Sequence, residues 1–337
     1  MKLDYRPFSL KLKYPFTIAN FSRTDTPLML VIITYNNIRG LGEASMVPYK
    51  GESNKTAVDF LNKLDLSHLK YPFNYDEILE YLDSIAPGNP CIKAAIDIAL
   101  HDLQGKLEQT PCYRFFNTEP DKMPVTSYTI GIDTPEIIIK KVKDGNLCKV
   151  LKIKLGRDND RELIKTIRSV SDKPLYVDAN EGWIDRQQAL DTIFWLSEQG
   201  VVLVEQPMPS SDPDSNAWIT ERSPIPIIAD EAVQRFADVA KAQGVYNGIN
   251  IKLMKSAGMH EGYKIIQEAR RLDLSVLIGC MSETSIATLA AASLAPLCDW
   301  ADLDGPFLTS NNPYKDPEFL DGKYILSNDP GLGVREY

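Results

Sequence analysis

The first third of the chain alternates apolar and polar residues with a period of two and then changes to helical spacing. The alternating runs predict the strands of an antiparallel meander, at residues 3–13, 28–34 and 38–43. Asn36 and Asn37 are a turn signal between the last two runs. Apolar residues at helical spacing then predict three helices, the last at residues 89–107. This pattern predicts an α+β domain over residues 1–118.

From residue 119 to residue 311, short and wholly apolar runs alternate with helical stretches. The runs predict strands at residues 126–130, 150–155, 174–177, 201–204, 225–229, 248–251 and 275–279, with a last short strand at Leu303. Runs of this kind are typical of parallel strands buried on both faces. The strand–helix order predicts a barrel or a doubly wound sheet, and the absence of Gly-x-Gly-x-x-Gly after the first strand disfavours a dinucleotide-binding sheet. We expect residues 312–337 to pack back on the N-terminal domain.

Charged side chains close these runs at nearly even intervals. Lys154, Asp178, Glu205, Asp230 and Lys252 are separated by 24, 27, 25 and 22 residues. Each step is about the length of one strand, one helix and their loops. Because the carboxyl ends of barrel strands carry the active site, the spacing predicts that these side chains meet at one rim.

The three carboxylates of this series each follow an apolar strand, where a charge is costly unless it is paired or bound to a metal. Asp178, Glu205 and Asp230 on adjacent strands would repel one another, which indicates a divalent cation; all-oxygen ligation suits Mg²⁺. The alternative is that each one caps the helix that follows, which fits Asp230 best but explains three in register poorly. Glu231 is interpreted as an acid in the first turn of a helix.

The lysines flank the predicted metal site. Lys152 and Lys154 are two residues apart on one strand and therefore point to the same face, the interior of a closed barrel. Lys252 ends a strand on the opposite side of an eight-fold ring. Lys154 and Lys252 would thus reach a substrate from opposite faces, as a two-base epimerase or racemase requires, with neighbouring cations and partial burial depressing the lysine pKa. Lys255 and Lys264 are predicted to be solvated.

Two further features predict how a substrate is held. Asp302 and Asp304 alternate on the last strand, so both should face the barrel mouth, where they suit a substrate with an α-ammonium; the alternative is a solvated loop. Arg23 lies in a polar stretch between two N-terminal strands. A loop there would close over the barrel and pair Arg23 with a substrate carboxylate, whereas Arg23 taken alone is an ordinary surface arginine.

Composition limits the classes of function. The net charge of −9 and the pI near 5.0 argue against a nucleic-acid partner. No apolar run approaches the roughly 20 residues of a membrane span, and no secretory signal is apparent, so we expect a cytoplasmic enzyme. The five cysteines are scattered and expected to be reduced. With only three histidines, the chemistry must depend on carboxylates and lysines.

The motifs together resemble the enolase superfamily, and within it the muconate-lactonizing subgroup and its dipeptide epimerases. The resemblance covers almost the whole chain. The matching motifs are Pro15-Phe16 with Ser22-Arg23-Thr24, Gly40-Leu41-Gly42-Glu43-Ala44, residues 94–103, Lys152-Ile153-Lys154, Asp178-Ala179-Asn180, Val204-Glu205-Gln206-Pro207, Ala229-Asp230-Glu231, Asn250-Ile251-Lys252-Leu253 and Asp302-Leu303-Asp304-Gly305. The last of these is the motif that marks dipeptide epimerases.

The resemblance implies a modified TIM barrel, (β/α)₇β, under an α+β capping domain that the C-terminal tail completes. It also implies Mg²⁺, one ion per site, on the three carboxylates, where it stabilises an enediolate. Lys154 and Lys252 would be the acid/base groups, with Lys152 holding the enolate oxygen and lowering the pKa of Lys154. The substrate-binding residues would be Arg23 for a distal acidic side chain, Asp302 and Asp304 for the N-terminal ammonium, and Thr129 and the Cys280-Met281-Ser282 stretch lining the site.

The implied substrate is an L-Ala-D/L-Glu-type dipeptide, as in murein peptide recycling, epimerised at its C-terminal residue. Three alternatives remain open. An o-succinylbenzoate synthase or an N-acylamino acid racemase would use the same lysines without needing Asp302 and Asp304, and a muconate cycloisomerase is less favoured. A non-catalytic metal- or peptide-binding barrel explains the lysines poorly. A homo-oligomer is compatible with a barrel of this size, but no decisive interface motif stands out.

Overall fold

The computed structural model describes residues 1–19, 21–47 and 51–337. The N-terminal sheet is antiparallel, in the order β1-β2-β3. Its strands are β1 (Lys2–Thr17), β2 (Ser22–Tyr35) and β3 (Ile38–Ser45). Asn36 and Asn37 turn the chain with φ of 49° and 63°, in the left-handed region that asparagine tolerates. The meander and its turn are therefore where the sequence pattern predicts them.

The first two strands are longer than predicted, and this corrects the placement of Arg23. The polar stretch was expected to be a loop, but Phe16 pairs with Arg23 and Thr17 with Ser22. Arg23 thus lies in β2, near its start. Threonine and aromatic residues favour extended backbone, so a polar stretch that contains them can continue a ladder.

The helices of the capping domain are α1 (Asn54–Leu61), α2 (Tyr75–Ile85) and α3 (Pro90–Leu107). Helix α3 packs on β3 at two glycines. A Cβ added to Gly40 would lie 2.0 Å from the carbonyl oxygen of Ala99, and one added to Gly42 would lie 1.9 Å from that of Ala95. Only glycine permits this close approach, which brings the helix directly against the sheet.

The second domain is a closed barrel. Within the described ranges, eight parallel strands pair in the order of the chain from β4 to β11. A bridge between Thr126 and Ala301 joins the first strand to the last. The elements are β4 (Ser127–Ile130), α4 (Pro135–Asp144), β5 (Val150–Lys154), α5 (Asp160–Arg168), β6 (Leu175–Asp178), α6 (Arg186–Glu198), β7 (Val201–Glu205), α7 (Pro213–Arg222), β8 (Ile227–Ala229), α8 (Phe236–Ala242), β9 (Gly248–Lys252), α9 (Met259–Arg271), β10 (Ser275–Gly279), α10 (Ser285–Leu294) and β11 (Trp300–Asp302). The prediction of a modified TIM barrel with a capping domain is confirmed.

The end of the chain contacts both domains. After the short helix α11 (Gly305–Leu308), a hairpin of β12 (Phe319–Leu320) and β13 (Lys323–Tyr324) contacts the barrel. Gly322 in its turn accepts a hydrogen bond from Thr126 N–H at 2.8 Å, and the Tyr324 hydroxyl donates to the carbonyl of Leu303. Leu332 N–H donates to Asp102 of the capping domain at 2.9 Å. The tail therefore helps to fix the capping domain on the barrel.

The barrel interior is apolar below the rim. Alternate side chains of successive strands fill it: Val150, Tyr176, Leu203, Ile228 and Leu277. This packed layer leaves functional side chains only at the carboxyl ends of the strands.

In the part of the chain that the structure describes, no helix is long and apolar enough to cross a membrane. All five cysteines are free.

Candidate active site

Three carboxylates meet at the carboxyl ends of adjacent strands. Asp178 ends β6, Glu205 ends β7, and Asp230 directly follows β8. Asp178 and Glu205 are paired in register, and ligand atoms of the three residues lie within 4.8 Å of one another. All three side chains are buried. The structure therefore brings the predicted metal ligands together, and among the described residues this is the cluster able to hold a metal ion.

The electrostatics of the triad fit a divalent cation. Burial, together with the charges of Asp178 and Asp230, raises the pKa of Glu205 to about 8. Burial also acts to raise the pKa of Asp178, but Lys154 and Lys152 outweigh it and lower that pKa to about 2. The Oε2 atom of Glu205 lies 2.7 Å from Lys152 Nζ yet accepts no well-directed hydrogen bond. Three carboxylates, one of which has an oxygen that accepts no hydrogen bond, are a donor set that fits Mg²⁺.

Three lysines surround the triad. Lys154 Nζ donates to Asp178 at 2.6 Å, and Lys252 Nζ donates to Asp230 at 2.5 Å. Lys152 Nζ lies 2.7 Å from Asp302 and 3.3 Å from Asp178. Since β5 and β9 are separated by three strands of an eight-stranded ring, Lys154 and Lys252 flank the triad from opposite sides, as predicted.

The pKa of Lys252 is raised, not depressed as expected. Burial disfavours the ammonium of Lys252, but Asp230 and Glu205 outweigh burial and raise its pKa. The pKa of Lys152 is raised in the same way, by Asp302, Glu205 and Asp178 against burial. Carboxylates, more than neighbouring cations, thus determine the direction in which the pKa values of these two lysines are shifted.

Lys255 is not solvated, contrary to prediction. Its side chain is buried, and Nζ donates to Asp230 Oδ1 at 2.6 Å and to the carbonyls of Val233 and Asn250 at 2.9 Å. The turn after β9 folds back, with Lys255 N–H donating to the carbonyl of Lys252, and this brings the Lys255 ammonium against Asp230. Lys264 is partly exposed and pairs with Asp76.

Glu231 is also placed differently from the prediction. Helix α8 begins only at Phe236, so Glu231 lies in a turn and lines the cavity. Asn180 Nδ2 donates to its Oε1 at 3.3 Å. Burial, followed by the charges of Asp230 and Asp178, raises the pKa of Glu231 to about 7. Neither side chain was among the predicted site residues, although both stand in motifs that carry the resemblance, Asp178-Ala179-Asn180 and Ala229-Asp230-Glu231.

The acidic pair, Asp302 and Asp304, lines the same cavity as the lysines. Asp302 accepts hydrogen bonds from Lys152 Nζ and Ser127 Oγ, both at 2.7 Å. Asp304 accepts one from Thr129 N–H at 2.6 Å and lies 3.7 Å from the Cys280 thiol. Burial and the charge of Asp302 raise the pKa of Asp304 to about 7. Of the two carboxylates, Asp302 is the one held directly by a lysine.

Arg23 forms part of the roof of the cavity. Its guanidinium lies 4.9 Å from the centre of the Phe16 ring and donates to Thr26 Oγ1 at 3.0 Å and to Ser282 Oγ at 2.8 Å. Thr129, Cys280, Met281 and Ser282 line the same cavity. The structure thus brings every predicted site residue to one place, including those expected only from the resemblance.

Comparisons with known proteins give family matches for both domains. Residues 5–116 match the family described as mandelate racemase / muconate lactonizing enzyme, N-terminal domain, and residues 138–335 match the family described as enolase C-terminal domain-like. The chain is 50% identical over 335 residues to the L-Ala-D/L-Glu epimerase of Bacteroides thetaiotaomicron, which covers 99% of this chain and 88% of that protein.

Solved structures with the same fold include complexes with ligands. The dipeptide epimerase of Enterococcus faecalis, complexed with Mg and L-Leu-L-Tyr, superimposes with a TM-score of 0.91 at 32% identity, covering 99% of this chain and 98% of that one. The substrate-liganded L-Ala-D/L-Glu epimerase of Bacillus subtilis gives a TM-score of 0.92 at 27% identity, with the same coverage. The chain therefore belongs to the mandelate racemase / muconate lactonizing enzyme family of the enolase superfamily.

Proposed function

We propose that the chain is a Mg²⁺-dependent dipeptide epimerase that inverts the α-carbon of the C-terminal residue. The observation that carries this proposal is the placement of Lys154 and Lys252 on opposite sides of a buried carboxylate triad. A carbon acid held between them presents one face to each lysine. The relatives named dipeptide epimerases support the same substrate class.

The metal would be held by Asp178, Glu205 and Asp230. Bound there, one Mg²⁺ would offset the negative charge that develops on the substrate carboxylate when the α-proton leaves. Lys152, which lies 2.7 Å from Glu205, would place a second positive charge beside the same oxygens. Burial of the triad strengthens both effects, because water is excluded from the site.

Lys154 and Lys252 would move the proton. One lysine, as a neutral amine, takes the α-proton, and the electron pair of the C–H bond passes into the carboxylate group. The other lysine, as an ammonium, then donates a proton to the opposite face, which leaves the inverted carbon. The two lysines exchange roles for the reverse direction. Each must therefore lose its carboxylate partner, Asp178 or Asp230, when those oxygens ligate the metal.

Asp302 and Asp304 would hold the dipeptide's N-terminal ammonium, and Arg23 would pair with an acidic side chain at its C-terminal residue. Thr129, Cys280 and Ser282 would line the space between these groups. We propose a dipeptide of the L-Ala-D/L-Glu type as the substrate, in cytoplasmic murein peptide recycling. The Bacteroides relative, named for that dipeptide, supports this choice.

The test is incorporation of deuterium. L-Xaa-L-Xaa dipeptides, and separately L-Ala-D-Glu, are incubated with the protein and Mg²⁺ in D₂O, and mass spectrometry follows a gain of one deuterium, with Lys154→Ala and Lys252→Ala assayed beside the wild type. We expect exchange and epimerisation with L-Ala-L-Glu. Each variant should lose epimerisation, and one variant should still exchange the proton of the L epimer while the other exchanges only that of the D epimer. No deuterium in any dipeptide would contradict the proposal.

A further inference from the structure

Arg157 joins the barrel to the capping domain beside the cavity. It follows β5 by three residues, and its guanidinium donates from Nε to the carbonyl of Ala19 and from Nη2 to the carbonyl of Ile18, both at 3.0 Å. We call Ile18 and Ala19, which follow β1 directly, the mouth segment. Both are buried, at 8% and 9% exposure. One planar side chain thus satisfies two backbone carbonyls of the other domain.

The turn that carries Arg157 is held in place. The Asp160 carboxylate accepts hydrogen bonds from the backbone N–H groups of Gly156 and Arg157 and from Trp183 Nε1, all at 3.0 Å. Gly156 has φ of +101°, and a Cβ there would lie 3.1 Å from the Cβ of Ala19. The mouth segment therefore rests on this turn as well as bonding to its arginine.

The position of the mouth segment determines where the residues that cover the cavity, Phe16 and Arg23, lie. Ile18 lines the cavity beside Phe16 and Arg23. The residue before it, Thr17, accepts a hydrogen bond from Ile132 N–H at 3.0 Å. Phe16 pairs with Arg23 and lies under its guanidinium. If the segment moved outward, it would take Phe16 with it and remove the surface on which Arg23 packs.

We propose that Arg157 is a positioning residue, which holds the mouth segment down so that Phe16 and Arg23 stay over the bound dipeptide. It touches no substrate itself, and its effect on catalysis rests on the proposed function. Because Arg157 is exposed, water competes for its two hydrogen bonds, and each contributes less than a fully buried bond would. A lysine in its place would supply one charge without the planar fork.

Hydrogen exchange measured without substrate tests the contact itself. Arg157→Met is compared with Arg161→Met, which removes an exposed arginine on the next turn that packs over Trp195 at 4.9 Å. The peptide that contains Ile18 and Ala19 should exchange about tenfold faster in Arg157→Met, because two hydrogen bonds from a charged group are lost and water compensates for part of them. It should be unchanged in Arg161→Met. Equal exchange in Arg157→Met and wild type would overturn the proposal.

Kinetics test the positioning role. On L-Ala-L-Glu, Arg157→Met should raise KM about tenfold and change kcat less. The arrangement with Phe16 and Arg23 over the cavity would still form, but in a smaller fraction of the molecules. Arg157→Lys should be intermediate. Faster exchange with an unchanged KM would also overturn the proposal. If no dipeptide is epimerised by the wild type, the proposed function fails, while the exchange experiment still decides whether Arg157 holds the segment.

Discussion

Arg23 is oriented by groups on both domains before any substrate arrives. Thr26 on its own strand and Ser282 on the barrel accept its hydrogen bonds, and Phe16 supports its plane. A guanidinium fixed in this way loses little rotamer freedom when it pairs with a carboxylate. The selectivity for an acidic side chain should therefore depend strongly on this one residue.

Arg23→Met should lower kcat/KM for L-Ala-L-Glu by roughly 10- to 100-fold, the loss expected for a charge-assisted pair. The loss for L-Ala-L-Met should be much smaller, because that side chain offers no carboxylate. Steady-state kinetics on both dipeptides provide the measurement, and Thr26→Val serves as a milder variant that keeps the charge. Equal losses on the two substrates would show that Arg23 does not read the side chain.

Lys255 and Lys264 show how burial changes the energetic weight of a lysine. Lys255→Met leaves the buried carboxylate of Asp230 with one partner fewer, and we expect a loss of about 3 kcal/mol in the free energy of unfolding, measured by urea denaturation in metal-free buffer. Lys264→Met removes a pair with Asp76 that is open to solvent and should cost less than about 1 kcal/mol. Similar costs for both would mean that Lys255 is not essential to Asp230.

The site residues that were predictable are those whose position follows from strand ends. Asp178, Glu205 and Asp230 each close an apolar run, and their spacing alone indicates a shared rim. Lys255 and Glu231 lie in the turns after β9 and β8, and the direction of a side chain in such a turn has no periodic signal. Their burial depends on how the turn folds back on the triad, which is a tertiary property.

At the scale of elements, the capping domain places carboxylates at the N-termini of two barrel helices. Asp97 of α3 accepts a hydrogen bond from Met259 N–H, at the start of α9, at 2.5 Å. Glu43 of β3 accepts from Thr284 N–H at 2.9 Å and from its hydroxyl, at the start of α10. Negative charge is favourable at such ends, so the two contacts fix the domains relative to one another.

Glu43 should make the stability of the protein depend on pH. Burial raises its pKa from 4.5 to about 7, although the bonds from Thr284 act to lower it. A carboxyl with a raised pKa in the folded state contributes its full stability below about pH 4.5, and that contribution is lost as the pH rises through about 7. The shift corresponds to about 3 kcal/mol. When the pH is raised from 5 to 8, the free energy of unfolding of Glu43→Gln should therefore fall by less than that of wild type.

Urea denaturation at both pH values measures this difference. Glu336→Gln, which removes an exposed carboxylate paired with Arg39, is the matched control and should behave as wild type. Burial, with the charge of Glu43, raises the pKa of Glu283 to about 8, so Glu283 also lowers the stability as the pH rises. The contribution of Glu43 is therefore the difference between the pH dependence of wild type and that of Glu43→Gln. If Glu43→Gln showed the same pH dependence of stability as wild type, that dependence would have to come from groups other than Glu43.

Element boundaries were predictable where the apolar pattern ends with the element. The barrel strands match within a few residues, and α3 begins at Pro90 as its proline indicates. The β1–β2 hairpin extends beyond its apolar part because the ladder continues through Phe16 and Arg23. Contact with the barrel rim, where Ile132 N–H bonds to Thr17, holds that extension, and no local pattern encodes it.

At the scale of the whole molecule, the barrel brings three mutually repelling carboxylates together at the triad. Lysines from β5 and from the end of β9 offset this repulsion. Lys152, Lys154, Lys252 and Lys255 all contact a carboxylate of the triad. A bound cation would take over part of this neutralisation and release Lys154 and Lys252 for proton transfer. Metal binding should therefore stabilise the fold as well as enable the reaction.

Saturating Mg²⁺ at about one hundred times its Kd should raise the free energy of unfolding by about 2.7 kcal/mol, because the ion binds the folded triad and not the unfolded chain. Urea denaturation with Mg²⁺ and with a chelator gives this difference. Glu205→Gln removes one ligand and also one buried carboxyl whose pKa is raised to about 8, so in chelator it should be as stable as wild type or more stable. It should, however, gain little from Mg²⁺. An equal gain in both proteins would mean that the ion stabilises the molecule at some place other than the triad.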